Sequence, residues 1–370
     1  MDLDAVSTEA LHPAARETLL AALDGGYGDP LRLHGAGRRA RLLLDNAREV
    51  LAGLLGVRPD ELSLTASGTT AVHLGVLGLL LGRRRTSGRL LHTAVEHSAV
   101  MAAGTWWERH HDGVTETVPV DQHGRVRLDA LAAALEEPAG VLACQVANPE
   151  VGTLQPLAEV AELAARAAVP VFADAAAAAG QVPLPTGWDV AAASAHKWGG
   201  PAGVGVLLVR KGTRWRAPFP TDDRVDPRVA GFENVPAALA AAAALQAVLA
   251  EREEADARRR RLVDRIRETA GRIPDVEVVG HPTERLPHVV TFSCLYVEGE
   301  ALVTALDRQG FAVASGSACT ASRLEPSHVL AAMGRLTHGN VRVSLGHRTT
   351  ESDVDRFLAV LPGVVADLRR

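Results

Sequence analysis

Residues 190–209 read VAAASAHKWGGPAGVGVLLV. Two apolar runs, Val190–Ala193 and Val204–Val209, bracket a short segment holding one lysine, Lys197, followed by Gly199 and Gly200. Uninterrupted apolar runs of this length are what strands covered on both faces look like, as in parallel sheets. A lysine between two such strands is unusual, because lysine is rarely buried without a task. Desolvation and neighbouring cations lower a lysine's pKa and make it a nucleophile toward carbonyls. A solvent-facing lysine in a turn is the plainer alternative, so the context decides.

Upstream, further strand-like runs occur at 61–65, 89–93, 140–146 and 169–173, joining those at 189–193 and 204–209, with helical patterns at 39–55, 127–136 and 157–167 between them. Strand–helix alternation predicts an α/β fold with a mostly parallel sheet covered by helices on both faces. A long helical pattern follows from about Pro236 to Ala270, with proline in its first turn. Beyond it lie strand candidates at 276–279, 288–293, 311–315 and 340–345 and helices near 298–308 and 350–368, a second, smaller α+β unit.

In an open α/β sheet, ligands sit outside the carboxyl ends of the strands. Asp174 ends the run VPVFAD, where it either caps the next helix or presents a carboxylate to a ring nitrogen. Ser67-Gly68-Thr69-Thr70 lies between the strand ELSLT and a helix starting near Ala71, where free amides at a helix N-terminus can bind phosphate. Val95-Glu96-His97-Ser98 follows the strand RLLHT, and His97 could carry a proton near neutral pH or lie as a flat plate on a cofactor. A nucleophilic lysine, a carboxylate for a ring nitrogen and a phosphate cradle together predict a site for pyridoxal 5′-phosphate (PLP), held as a Schiff base on Lys197.

Composition narrows the partners. The net charge is −5, and the densest basic run, Arg258–Arg261, sits in an alternating acidic and basic helical pattern, a solvated face rather than a nucleic-acid patch. No direct nucleic-acid contact is expected. Three cysteines are too few for a disulfide framework and lack metal-ligand spacing, which fits a reducing, cytoplasmic setting and no bound metal. MDLDAVSTEALHP lacks the basic-then-apolar pattern of a signal peptide, and the longest apolar stretch, near Ala71–Gly82, is too short to span a bilayer, so no membrane association is expected.

Taken in order, LDAVST (3–8), LTASGTT, VEHSAV, NPEVGTLQP, FADAAAAAG, SAHKWGGPAGVGVLLVR, GFENVPA, SGSACTASRLEPSHVL and VRVSLGHRTTESDVDRF resemble the class V branch of fold-type I PLP enzymes, most closely the cysteine desulfurases. The resemblance spans nearly the whole chain. It implies a large PLP-binding domain over 15–245 and a small domain formed by 1–14 with 246–370. Lys197 would bear the cofactor, Asp174 would face the pyridine nitrogen, and His97 would stack on the ring and serve acid–base chemistry. Gly68, Thr69 and Thr70, with Ser194 and His196, would hold the phosphate, while Asn148 would contact cofactor and substrate. Arg342 would bind the substrate carboxylate, a task its planar fork suits. Cys319, in the small, polar stretch Ser315–Ser322, would take sulfur from L-cysteine as a persulfide, leave L-alanine, and pass the sulfur to an acceptor protein. A homodimer is implied as well. Cys144 and Cys294 lie in apolar runs and read as core residues.

The resemblance is broken at several positions. Ala177 stands where the family has a glutamine for the PLP hydroxyl, and Phe232 where it has a threonine reaching a phosphate across the dimer interface. Pro149, Ala71 and Ala5 replace further polar residues. These losses leave room for another class V reaction, such as that of an aminotransferase or β-lyase, or for a degenerate non-catalytic chain.

Overall fold

A computed structural model describes residues 1–25, 28–222, 226–315 and 326–370. Two helices come first, α1 (Pro13–Asp24) and α2 (Gly35–Leu54). In α2 the buried positions Ala40, Leu44, Ala47 and Leu51 recur at helical spacing and seat one face on the core. Next come β1 (Leu62–Thr65), α3 (Gly68–Arg83), β2 (Arg89–Thr93), α4 (Ser98–His111), β3 (Val114–Val118), α5 (Leu128–Ala134), β4 (Val141–Ala143), α6 (Leu157–Arg166), β5 (Val171–Asp174), β6 (Val190–Ser194) and β7 (Gly205–Val209).

These strands form a seven-stranded sheet in the order β1-β7-β6-β5-β4-β2-β3. The pairs β2–β3, β2–β4, β4–β5 and β5–β6 are parallel, and β7 alone runs against both of its neighbours. The expected mixed α/β fold with a mostly parallel sheet is therefore present. Helix α3 is apolar nearly all round and lies buried against β6 and β7. It fits because Gly75 lets the Phe172 ring approach; a Cβ on residue 75 would come within 2.4 Å of that ring.

The 37-residue helix α7 (Val235–Gly271) is the longest element. By length and composition it could cross a membrane, but it serves here as a core helix. Ala237–Leu245 belong to the core of the large sheet, whereas Leu262, Val263, Ile266 and Ala270 belong to a second core. That second core covers a sheet of order β10-β9-β8, from β8 (Val276–Val279), β9 (Val289–Cys294) and β10 (Asn340–Ser344), together with α8 (Gly299–Arg308) and α10 (Glu351–Leu368). The short α9 (His328–Ala332) lies between the two units.

Two sequence expectations need correction. Residues 311–315 form no continuous strand; they make only single bridges, Asp2 with Ala312 and Ala314 with Arg342. The N-terminal segment takes up their pairing capacity, since Leu3 N–H donates to Ala312 O and Ser344 N–H donates to Leu3 O. Conversely, β3 carries no strand signal in the sequence. Its residues VTETV are polar and largely uncovered because it is an edge strand, so it shows no apolar run.

Candidate active site

Because β7 alone is reversed, the carboxyl ends of β1, β2, β4, β5 and β6 share one edge of the large sheet. A cavity of about 190 Å³ opens there. Ser67, Gly68, Thr69, His97, Gln145, Asp174, Ser194, His196 and Lys197 line it, with Val72, Ala147, Pro149, Ala176 and Ala177 as its apolar wall. Larger open grooves exist elsewhere, such as one of about 520 Å³ between Arg83, Asp189 and Arg214, but that one has no lysine or histidine in its lining.

The polar groups arrive from the ends of several strands: Ser67 and Thr69 after β1, His97 after β2, Gln145 after β4, Asp174 at β5, and Ser194, His196 and Lys197 at β6. After β6 the chain turns through Ala195–Lys197, and the Lys197 Nζ donates to the Val6 carbonyl at 2.7 Å. Two further bonds tie this turn to the N-terminal segment: Glu9 N–H to His196 O and His12 N–H to Gly199 O. Asp174, at the end of β5, is 7% exposed, all that its place in the cavity wall allows, and its Oδ1 accepts from the Ala176 N–H at 2.9 Å.

At the N-terminus of α3, Ser67 Oγ accepts from Thr70 N–H at 3.0 Å and lies 2.9 Å from the Thr70 hydroxyl. Gly68 is pressed onto Ser194; a Cβ on residue 68 would sit 2.7 Å from the Ser194 Cβ. Ser194 Oγ in turn lies 2.9 Å from His196 Nδ1. The cradle thus combines first-turn amides with hydroxyls and an imidazole, a donor set suited to an anion. Thr70 itself braces this turn without lining the cavity.

His97 caps α4, its Nδ1 accepting from Ala99 N–H at 3.1 Å. A ring nitrogen that accepts cannot carry the proton, so the neutral ring bears it on Nε2. Burial pushes the His97 pKa down; Asp174 pulls against it, and the proximity of Lys197 and His328 pushes it down further. Burial likewise lowers His196, with Lys197 adding to the effect. The site therefore holds neutral imidazoles at pH 7.

Two buried acids back the site, and neither stands out in the sequence. Glu96 is fully buried; its Oε1 accepts from the Thr93 hydroxyl at 2.6 Å and the Gln145 N–H at 2.9 Å, while Oε2 has no partner. Burial raises its pKa to about 8, with nearby Asp174 contributing. Glu150 is raised by burial to about 7, opposed by a hydrogen bond from Ser327 and by the charge of Arg342. The His328 ring closes the arrangement, its Nε2 3.0 Å from the Glu96 carbonyl oxygen. Ser327 and His328, which open α9, thus fasten it to both loops bordering the cavity.

Two expected residues stand just behind the wall. The Asn148 amide is committed within its own loop, accepting from the Glu150 and Val151 N–H groups and donating to Val95 O. Arg342 is 2% exposed and lies beyond Pro149, bonded to Pro149 O, to Asp4 Oδ1 and to Ser7 Oγ, the last two at 2.6 Å each. Its Nε has no partner. Cys319 lies outside the described residues. The two described cysteines are buried, and burial raises Cys294 to about 11 and Cys144 well above the ordinary thiol range. Neither is a thiolate at neutral pH. Sequence reasoning misses Glu96 and Glu150 because they stand beside the motif residues His97 and Asn148, and Gln145 because it sits inside the apolar run VLACQV; a polar residue at a parallel strand's carboxyl end is the signal that marks Gln145.

A lysine and a carboxylate thus line one cavity beside the start of a helix, on a mostly parallel sheet flanked by helices. The Aminotransferase class-V family matches residues 3–357, and the chain belongs to that family. It is 33% identical over 373 residues to a protein named cysteine desulfurase IscS from Methanosarcina thermophila, covering 99% of this chain and 92% of that one. It is 38% identical over 381 residues to an IscS-like cysteine desulfurase of Mycobacterium tuberculosis, covering 100% of this chain and 97% of the relative. Among solved structures, a NifS-like protein superposes with a TM-score of 0.92 at 27% identity, each chain fully covered.

The residues present fit PLP. The Gly68–Ser194 contact leaves the amides of the α3 first turn unshielded by side chains at the cavity, and Asp174 and Lys197 line the same small space.

Proposed function

We propose that this chain is a PLP-dependent cysteine desulfurase, converting L-cysteine to L-alanine and capturing the sulfur on Cys319. The observation that carries the reading is that Lys197, Asp174 and the Ser67–Thr69 turn line one cavity, although they lie far apart in sequence. When bound, PLP supplies an aldehyde carbon for capture of an amino group and a ring that withdraws electrons from the captured substrate.

The chain's own groups do the rest. The amides at the start of α3, with Ser194 and His196, hold the phosphate. Asp174 keeps the ring nitrogen protonated. Lys197 Nζ would move the proton at the substrate Cα, and His97, protonated on Nε2 in its neutral form, would deliver a proton without first having to titrate. Arg342 receives the substrate carboxylate once it exchanges its bonds to Asp4 and Ser7. Val72, Ala147 and Pro149 keep water from the reacting atoms. The Cys319 thiolate would attack the substrate sulfur, the S–S bond forming as the substrate Cβ–S bond breaks and its electron pair stays on carbon; the carbon would take up a proton and leave as alanine, and thiol exchange would pass the outer sulfur to an acceptor protein. A homodimer in a reducing cytoplasm is part of this reading.

The test supplies L-cysteine, PLP and a reductant, and measures alanine and sulfide. Equal rates of both products are expected, and Cys319→Ala should lose them while still binding PLP. A Cys319→Ala protein forming alanine at the native rate would remove that cysteine from the mechanism. The apolar wall at Pro149 and Ala177 favours one second reading, a class V reaction on a different amino acid. Spectral responses to other amino acids, with none to cysteine, would select it.

A further inference from the structure

Gln145 is the one side-chain amide in the cavity wall, and it is 1% exposed. Its Nε2 donates to Val95 O at 2.6 Å, and its backbone N–H donates to Glu96. Its Oε1 and its second Nε2 hydrogen have no partner among the described residues. Continuing the β4–β5 register, in which Ala143 faces Phe172, places Gln145 beside Asp174. A buried amide with an unused acceptor and an unused donor at a cavity is costly unless a ligand completes it.

We propose that Gln145 is a cofactor-binding residue whose amide pairs with the ring hydroxyl of PLP. The inference rests on the reading that this cavity binds PLP. It follows by matching polar groups. Lys197 takes the aldehyde carbon, Asp174 the ring nitrogen, and the α3 turn with Ser194 and His196 the phosphate. The hydroxyl is the polar substituent left over, and residue 177, an alanine, offers it no side-chain partner.

The sheet order agrees. The phosphate groups come from the β1 and β6 side of β5, while Gln145 comes from β4 on its other side. On the pyridine ring the hydroxyl is borne on the edge away from the phosphate arm. The neighbouring wall residues Ala147 and Pro149 cannot serve it with side-chain polar atoms. The amide can donate its spare N–H to the oxygen or accept from it.

The experiment uses the full chain, stripped of PLP and titrated back with it. Binding is followed by tryptophan fluorescence, and the pH midpoint of the visible band of the Lys197-bound cofactor by absorbance. Gln145→Met keeps the side-chain length and removes the amide. It is expected to weaken PLP binding about three- to tenfold, the effect of one lost hydrogen bond. It should also move the midpoint to higher pH, because an oxygen that loses a donor becomes a stronger base. Adding Ala177→Gln should restore both, which repair of a purely structural defect at residue 145 would not do. Should the methionine variant fold poorly, Gln145→Glu is read instead, with an upward midpoint shift expected. Unchanged affinity and midpoint in a variant whose native chain binds PLP would overturn the inference alone. A native chain that binds no PLP would overturn the underlying reading as well.

Discussion

Replacing Glu96 with glutamine should make the protein more stable at alkaline pH and leave it nearly unchanged at mildly acidic pH. The carboxyl is buried from all sides, with two donors on Oε1 and none on Oε2. Its pKa rises from 4.5 to about 8 on folding. A raised acid binds its proton more tightly in the folded state, so its contribution to stability is intact below about pH 4.5 and is lost as pH climbs toward 8. A displacement of that size corresponds to roughly 5 kcal/mol at most, and water penetration on ionisation reduces it to about 2–5 kcal/mol. In the Glu96→Gln variant the new amide would accept the same two donors through its carbonyl oxygen and would not titrate. The assay is urea unfolding of the full chain at pH 5 and pH 8, followed by tryptophan fluorescence, with Trp107 and Trp198 both fully buried in the cores that cover the seven-stranded sheet. The two proteins should unfold together at pH 5 and separate by about 2–5 kcal/mol at pH 8, the variant being more stable. Glu150 titrates in the same window in both proteins and cancels in the difference. Stability curves that run parallel from pH 5 to pH 8 would refute the reasoning.

Gly68→Ala drives a methyl group into Ser194 and should weaken PLP binding by about 1–3 kcal/mol, roughly 5- to 150-fold, measurable by equilibrium dialysis. Gly75→Ala collides with the Phe172 ring and should lower the unfolding free energy by about 1–3 kcal/mol while leaving cofactor affinity near native, read from urea midpoints and PLP titration. His328→Ala removes the bond to the Glu96 carbonyl, so kcat for cysteine should fall about two- to tenfold with PLP affinity unchanged; a drop in PLP affinity instead would assign the residue to the cofactor site.

Much of the architecture is legible because buried strands declare themselves. VPVFAD and VAAAS are unbroken apolar runs, and their ends place Asp174 and Lys197 at the same sheet edge. Edge elements are less legible. β3 reads VTETV, with three polar residues at its centre and only Val118 buried, and 311–315 has strand composition but divides its hydrogen bonds, residue 312 with the N-terminal segment and residue 314 with Arg342. In the site, motif residues can be read because glycine, lysine and aspartate stand out against alanine. Gln145 is hidden because its neighbours make the run look like plain core. The commitments of Asn148 and Arg342 cannot be read at all, since they depend on which loop and which N-terminal residue fold beside them.

The contacts of residues 3–12 bear on how the chain tolerates truncation. Leu3 lies between residues 312 and 344, Val6 donates to the Ser344 hydroxyl, and the Val6 carbonyl receives the Lys197 ammonium. The segment therefore joins two distant parts of the chain, the lysine turn at 196–199 and the strand region at 312–344. A chain cut before residue 312 would keep only the bonds between this segment and the lysine turn and lose those to residues 312 and 344, so it should retain PLP less well than the full chain.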